Sequence, residues 1–197
     1  MAREALGVLE RLNDTVKQAQ CLNSLALLLY DDKQPDAAED AASRAINLIS
    51  EEGHQHLIYD FHRALGAIYH SKGEREKYIH HFEAVLGIAS TFNRNVHLFS
   101  AHYSLAEVFS HEGGFDTAHA HVERAKSRAV NDPYNLGRAL ELQAYIWYKQ
   151  HRLEEARSGA MRAIEVFEKL GAAQDLENCR GLLQWIKEET DSPVAHG

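Results

Sequence analysis

The chain has 197 residues, 45% hydrophobic and 25% charged, a composition that fits one well-packed domain or a short repeat array. A formal charge of −8 without a long basic run repels phosphate backbones, so nucleic acid is not an expected partner. No apolar run of about 18 residues occurs, and MAREALGVLERLND has no basic-then-apolar order, so neither a membrane span nor a secretory leader is expected.

In chain order, residues 2–12 (AREALGVLERL) predict an orphan helix, the second of a preceding hairpin. Four helical hairpins are then predicted over 14–53, 54–93, 94–133 and 134–171. A further helix is predicted over 173–189, and a disordered tail over 190–197. The hairpins carry one internal order at offsets of 40, 40 and 38 residues. A small residue stands in the first helix (Ala26, Gly66, Ala106, Ala144), and a large one follows three later (Leu29, Tyr69, Phe109, Trp147). The second helix carries Ala38, Tyr78, Ala118 and Ala156, then Ala42, Phe82, Val122 and Ala160, then Ala45, Val85, Ala125 and Ala163. Steps of three and four put these side chains on one helical face. Small residues let helices approach, large ones fill the groove, and a hairpin unable to bury its face alone is buried by stacking.

The turns DDKQPD, SKGERE, HEGGFD and KQHRLE separate paired helices. Gly73 and Gly113/Gly114 suit helix ends that need a positive φ, Pro35 and Pro133 suit first turns, and Asp132 is placed to cap the helix opening at Pro133. In the last helix Glu177, Arg180, Lys187 and Glu189 would wet one face, as in a cap. Cys21 and Cys179 sit among apolar residues at helical spacing and read as reduced core thiols, which points to the cytoplasm.

Leu65-Gly66, Tyr69, Tyr78 and Phe82 resemble the tetratricopeptide (TPR) pattern, although Leu22, His62, His102 and Leu140 stand where the family has its opening Trp. The resemblance implies an all-α, right-handed α-solenoid of TPR hairpins with about ten antiparallel helices, in one array over 1–189. The longer repeat resembles the subgroup with kinesin light chains and G-protein-signalling modulators. The wording ALGAIYHSKGE, HFEAVLGIAS, HYSLAEVFSHEGGFDTAHAHVERAKSRAVND and ELQAYIWYKQHRLEEA resembles C-terminal arrays of fungal signalling ATPases with NACHT or NB-ARC domains. That implies a sensor or scaffold array from a larger protein; no G-x-x-x-x-G-K-[ST] phosphate loop occurs in this sequence.

In such hairpins the first helix lines the inner face. Register places Asn23, Leu27 and Tyr30 there, then Arg63, Ala67 and His70, then Tyr103, Glu107 and Ser110, then Glu141, Tyr145 and Tyr148. Gln20, Asp60, Ser100 and Arg138 lie one turn earlier, and the last helix adds Glu177, Arg180 and Gln184. Tyrosines mixed with charges of both signs fit an extended peptide or a partner helix, so the expected partner is protein or peptide. Self-association or intramolecular packing is the alternative reading, with small-ligand binding a third. The chaperone-tail clamp of the family is largely absent, since Asn23, Arg63, Ala67 and Ser100 occupy its places.

His80-His81 and His119-x-His121 have the wrong spacing for a shared metal on a helix, and His54-x-His56 lies at a helix junction. No metal, cofactor or catalytic residue is expected. Paired acids such as Glu154-Glu155 read as solvated faces, and no nucleophile stands in a recognised elbow.

Overall fold

The computed structural model describes residues 14–49, 54–92 and 95–191, apart from the Phe92 side chain. Among the described residues there are nine α-helices and no strand. They are α1 (Thr15–Asp31), α2 (Pro35–Asn47), α3 (Gln55–Lys72), α4 (Arg75–Phe92), α5 (Asn95–His111), α6 (Phe115–Arg128), α7 (Pro133–Lys149), α8 (Leu153–Leu170) and α9 (Ala173–Asp191). The helix expected over 2–12 and the tail from 192 lie outside the described residues. The last helix, expected to stop at 189, continues through Asp191.

One turn recurs inside every hairpin. An N–H two or three residues past the first helix reaches a carbonyl five back: Gln34 to Leu29 (2.9 Å), Glu74 to Tyr69 (3.0 Å), Gly114 to Phe109 (2.9 Å) and Arg152 to Trp147 (2.9 Å). The N–H just before it reaches three back: Lys33 to Tyr30 (3.1 Å), Gly73 to His70 (3.0 Å), Gly113 to Ser110 (3.4 Å) and His151 to Tyr148 (2.9 Å). This Schellman closure puts one residue in the left-handed region. Gly73 (φ 71°) and Gly113 (φ 77°) adopt it without a Cβ penalty, whereas Lys33 (φ 59°) and His151 (φ 57°) adopt it with one. Gly114 instead has φ −77° and precedes α6. Asp132 caps α7 by accepting the Asn135 N–H (3.1 Å), and Asp14 caps α1 through the Lys17 N–H (3.0 Å).

The described residues divide into two compact units, one before residue 93 and one after 94. In the first, α1 packs on α2, α3 on α4, α2 on α3, and α1 touches α3. Its core includes Ala19, Leu22, Ala45, Ile49, Leu57, Ile58 and Phe61. A polar clasp joins the two hairpins: Lys72 Nζ bonds Asp36 (2.8 Å) and also Glu39, while Tyr69 Oη donates to Glu39 (2.8 Å).

In the second unit α5 packs on α6, α7 on α8, α6 on α7 and α8 on α9, while α5 touches α7 and α7 touches α9. One core cluster holds Ala106, Ala118, Val122, Leu142 and Ile146. Its counterpart one repeat on is Ala144, Ala156, Ala160, Leu182 and Ile186. Thus α9 sits on α7 and α8 as α7 sits on α5 and α6, in the place of the first helix of a further hairpin. Both cysteines are free thiols, Cys179 buried and Cys21 half-buried. Burial, aided by Glu141 and Asp175, pushes the Cys179 thiol up to about 12.

Close approach of the helices depends on residue size at matched places. Ala26, Ala106 and Ala144 are fully buried. At the equivalent Gly66, an added Cβ would stand 2.9 Å from Phe82 Cε1. Where the second helix offers a phenylalanine the first gives up its methyl; where it offers Val122 or Ala160, alanine fits. Gly137 makes the same allowance for Phe167, whose Cε1 would be 2.7 Å from a Cβ.

Candidate functional site: a cavity walled by the first helices of the second unit

One stripe each of α5, α7 and α9 lines a cavity of about 460 Å³. Helix α5 supplies Tyr103, Glu107 and His111, four residues apart. Helix α7 supplies Glu141 and Tyr145 at the same step, with Leu142 beside them. Helix α9 supplies Glu177, Gly181 and Trp185, again four apart, with Asn178 and Leu182. A four-residue step keeps side chains on one face, so each helix contributes one wall. The inner edges of Tyr103 and Tyr145 rest on the apolar clusters below, while Trp185 is 51% exposed at the rim.

Electrostatics in this cavity depart from those of an open surface. Burial raises the Glu107 carboxyl above its usual range, against Arg138 and a hydrogen bond from Tyr103, which lower it. Glu141 is pushed up to about 7 by burial and by Asp175 and Glu107, with Arg138 opposing. The Tyr103 phenol is pushed up by burial and by Glu107. Arg138 lies with its guanidinium carbon 4.3 Å from the Tyr103 ring centroid. Tyr148 stands just outside the wall, its ring 6.2 Å from that of Trp185.

The structure therefore brings together five of the residues picked by register, Tyr103, Glu107, Glu141, Tyr145 and Glu177, with Arg138 and Tyr148 at their edges. Ser110 turns inward instead, 1% exposed, its hydroxyl donating to the Glu107 carbonyl (2.7 Å). On α9 the register is shifted by one residue beyond Glu177. Gly181 and Trp185 face the cavity in place of Arg180 and Gln184, and Arg180 points toward Glu168 on α8 (3.9 Å). One residue is a 100° rotation, and the packing of Leu182 and Ile186 fixes which face turns inward.

In the first unit the picked residues do not converge. Tyr30 borders a separate hollow of about 210 Å³ with Lys33, Pro35 and Ser71. Arg63 is exposed, His70 sets its ring edge-on to Tyr78 at 5.2 Å, and Leu27 is half-buried. The buried Asn23 Oδ1 finds no donor among the described residues.

The histidines form a pattern that single-helix spacing conceals. His62 and His81 meet Nδ1 to Nδ1 at 2.8 Å, and His102 and His121 do so at 3.1 Å. Each second member is stacked on the large residue of its own hairpin: His81 on Tyr69 (5.4 Å, 11°) and His121 on Phe109 (5.8 Å, 18°). The signal was available in the sequence, since both pairs are 19 residues apart and recur at 40. Among the described residues, no three His, Cys, Asp or Glu side chains converge as a metal site, and no helix is long and apolar enough to cross a membrane.

No protein-family model matches the chain, and no curated protein sequence matches it. Solved structures do. The crystal structure of aspartyl phosphate phosphatase F from Bacillus subtilis is similar over 92% of this chain and 48% of its own (TM-score 0.84, 18% identity). The apo form of RapI is similar over 96% and 77% (TM-score 0.77, 16% identity). Nearly identical TPR-like repeats from Podospora anserina match over 89% and 98% (TM-score 0.60, 13% identity). This chain thus spans about half the length of the phosphatase F structure. At these identities the likeness is one of fold, and the fold is all-α, of TPR-like helical hairpins stacked as in α-solenoid proteins.

Proposed function

We propose that the chain is a protein-interaction scaffold that holds a peptide or a segment of a partner protein against the first helices of its hairpins. The observation that carries this reading is the cavity itself. Three consecutive first helices each contribute a wall, and the walls combine rigid aromatic area with half-buried and exposed carboxylates. Tyrosine and tryptophan offer large contact area at low entropic cost, which is why they dominate binding surfaces. A Rap protein complexed with competence and sporulation factor is among the similar structures (TM-score 0.66, 17% identity, covering 95% of this chain and 57% of that one), an instance of a similar fold holding a ligand. The resemblance to repeat arrays of fungal signalling ATPases supports placing this array as the sensor or scaffold part of a larger cytoplasmic signalling protein.

Panning a random 12-residue peptide library on the purified chain tests the reading. Enriched peptides should lose at least about tenfold in affinity on Tyr103→Ala or Tyr145→Ala, each removing an aromatic anchor. Arg63→Ala then asks whether the first unit takes part. A library that yields no enriched peptide, or peptides indifferent to both tyrosine variants, contradicts it.

A further inference from the structure

Three of the cavity's wall residues are carboxylates (Glu107, Glu141, Glu177) and three are aromatic (Tyr103, Tyr145, Trp185); none of the described wall residues is a lysine or arginine. We propose that this cavity receives the cationic side chain of a lysine or arginine from the bound peptide, a refinement that rests on the peptide-binding reading above.

Both halves of the wall favour that occupant. Cations are drawn to the faces of Tyr and Trp rings, and this wall already holds one: the Arg138 guanidinium lies 4.3 Å from the Tyr103 centroid. Arg138 occupies that ring from beside the cavity and is not one of its walls. The carboxylates need a counter-charge. Glu107 and Glu141 are half-buried with Arg138 as a cationic neighbour, and Asp175 and Glu177 on α9 add further negative charge. An arriving guanidinium or ammonium would add a second cation to this group of carboxyls, which has Arg138 beside it. An apolar side chain would cover the carboxylates without adding a counter-charge, and an acidic one would be repelled. At about 460 Å³ the cavity lies in the range that takes small ligands, about 300–1,000 Å³, so a long side chain and its flanking backbone fit. Gly181 makes part of that room, since a Cβ placed there meets no atom within 4 Å.

The test uses terminally blocked tripeptides, Ac-Ala-Xaa-Ala-NH₂ with Xaa Arg, Lys, norleucine or Glu, titrated into the ¹⁵N-labelled chain at pH 7.5. The Trp185 indole N–H is the reporter. The Arg and Lys peptides should move it at concentrations at least about tenfold below those needed for norleucine or Glu, and added salt should weaken them. Glu107→Gln with Glu141→Gln should weaken the Arg peptide at least about tenfold; Glu177→Gln, at an exposed position, should weaken it about two- to threefold and serves if the double variant is unfolded. Equal shifts from norleucine, no shift from any cationic peptide, or full affinity in the glutamine variants overturns the proposal. The two levels separate in the library experiment. Cavity-dependent peptides without a recurrent Lys or Arg sink this inference alone, whereas the absence of any enriched peptide sinks the peptide-binding reading as well.

Discussion

His102 and His121 share a hydrogen bond between their Nδ1 atoms, so one ring carries its proton on Nδ1 and the other must leave that nitrogen bare. The same arrangement stands at His62 and His81. At the equivalent places the first hairpin has Leu22 and Ala41, and the fourth has Leu140 and Gly159. Two solutions to one packing problem thus coexist in the chain: a bonded polar pair, or a leucine over a small residue.

The polar solution ties stability to pH. Burial first, and then the facing histidine, hold His81 and His102 down at about 4, and Arg124 and Arg128 add to the effect at His102. A base whose folded pKa is depressed takes up protons more readily when unfolded. Stability should therefore be complete above about pH 6.5 and fall as pH drops from there through 4, by about 2 kcal/mol for each pair. Urea melts at pH 7.5, 6 and 5 check the slope.

Removing one ring should be worse than removing both. His121→Ala leaves His102 Nδ1 buried without its partner, at a cost of about 1–3 kcal/mol beyond the lost packing. His102→Leu with His121→Ala installs the Leu22–Ala41 solution of the first hairpin. The double variant should lose less than the two single losses added, by about 1 kcal/mol, and its melts should vary less with pH. Additive losses would count against the hydrogen bond.

Much of this architecture was legible because packing writes residue size into sequence. The small residues recurring at 40, 40 and 38, Ala26, Gly66, Ala106 and Ala144, are all buried in the first helix of a hairpin, and Gly73 and Asp132 stand at helix ends. Lys33 and His151 were not legible as left-handed residues, since neither type prefers that region; only their alignment with Gly73 and Gly113 reveals them. Register places the α5 and α7 walls and Glu177, whereas α9 lacks the repeat's small–large pair, and register alone puts Arg180 and Gln184 where Gly181 and Trp185 stand. Spacing along one helix does not reveal the histidine pairs, because the partners lie on different helices.

Gly66 and Phe82 offer a volume test. Gly66→Ala would put a methyl 2.9 Å from the ring and should destabilise by about 1–3 kcal/mol. Adding Phe82→Val recreates the Ala106–Val122 pair of the next repeat. A double-mutant cycle should show the second change costing less in the alanine background than in the parent, by at least about 1 kcal/mol.

Lys33 holds a left-handed conformation on an exposed turn (φ 59°). Lys33→Gly relieves the Cβ clash at some cost in unfolded-chain entropy, for a net gain of about 0.5–1 kcal/mol. Thermal melts of the two proteins check it. A loss would mean that the side chain stabilises the turn more than its conformation strains it.

Glu141 couples the cavity to pH in the opposite sense from the histidines. Its folded pKa of about 7 lies above the ordinary 4.5, so its contribution to stability is complete below 4.5 and is lost as pH rises through 7. Glu141→Gln should thus match the parent at pH 5 and exceed it by about 2 kcal/mol at pH 8. The same ionisation should tighten cationic peptides in the parent between pH 6 and 8, and not in the glutamine variant.

Gly181→Leu tests the account most directly. The added side chain projects into space where no atom lies within 4 Å of the new Cβ, and glycine is a weak helix former, so the helix should be kept or strengthened by up to about 1 kcal/mol. The account predicts an unchanged or higher melting temperature together with at least about a tenfold loss of affinity for library-selected peptides. A Gly181→Leu protein that melts like the parent and binds those peptides as tightly would show that the cavity is not where they dock.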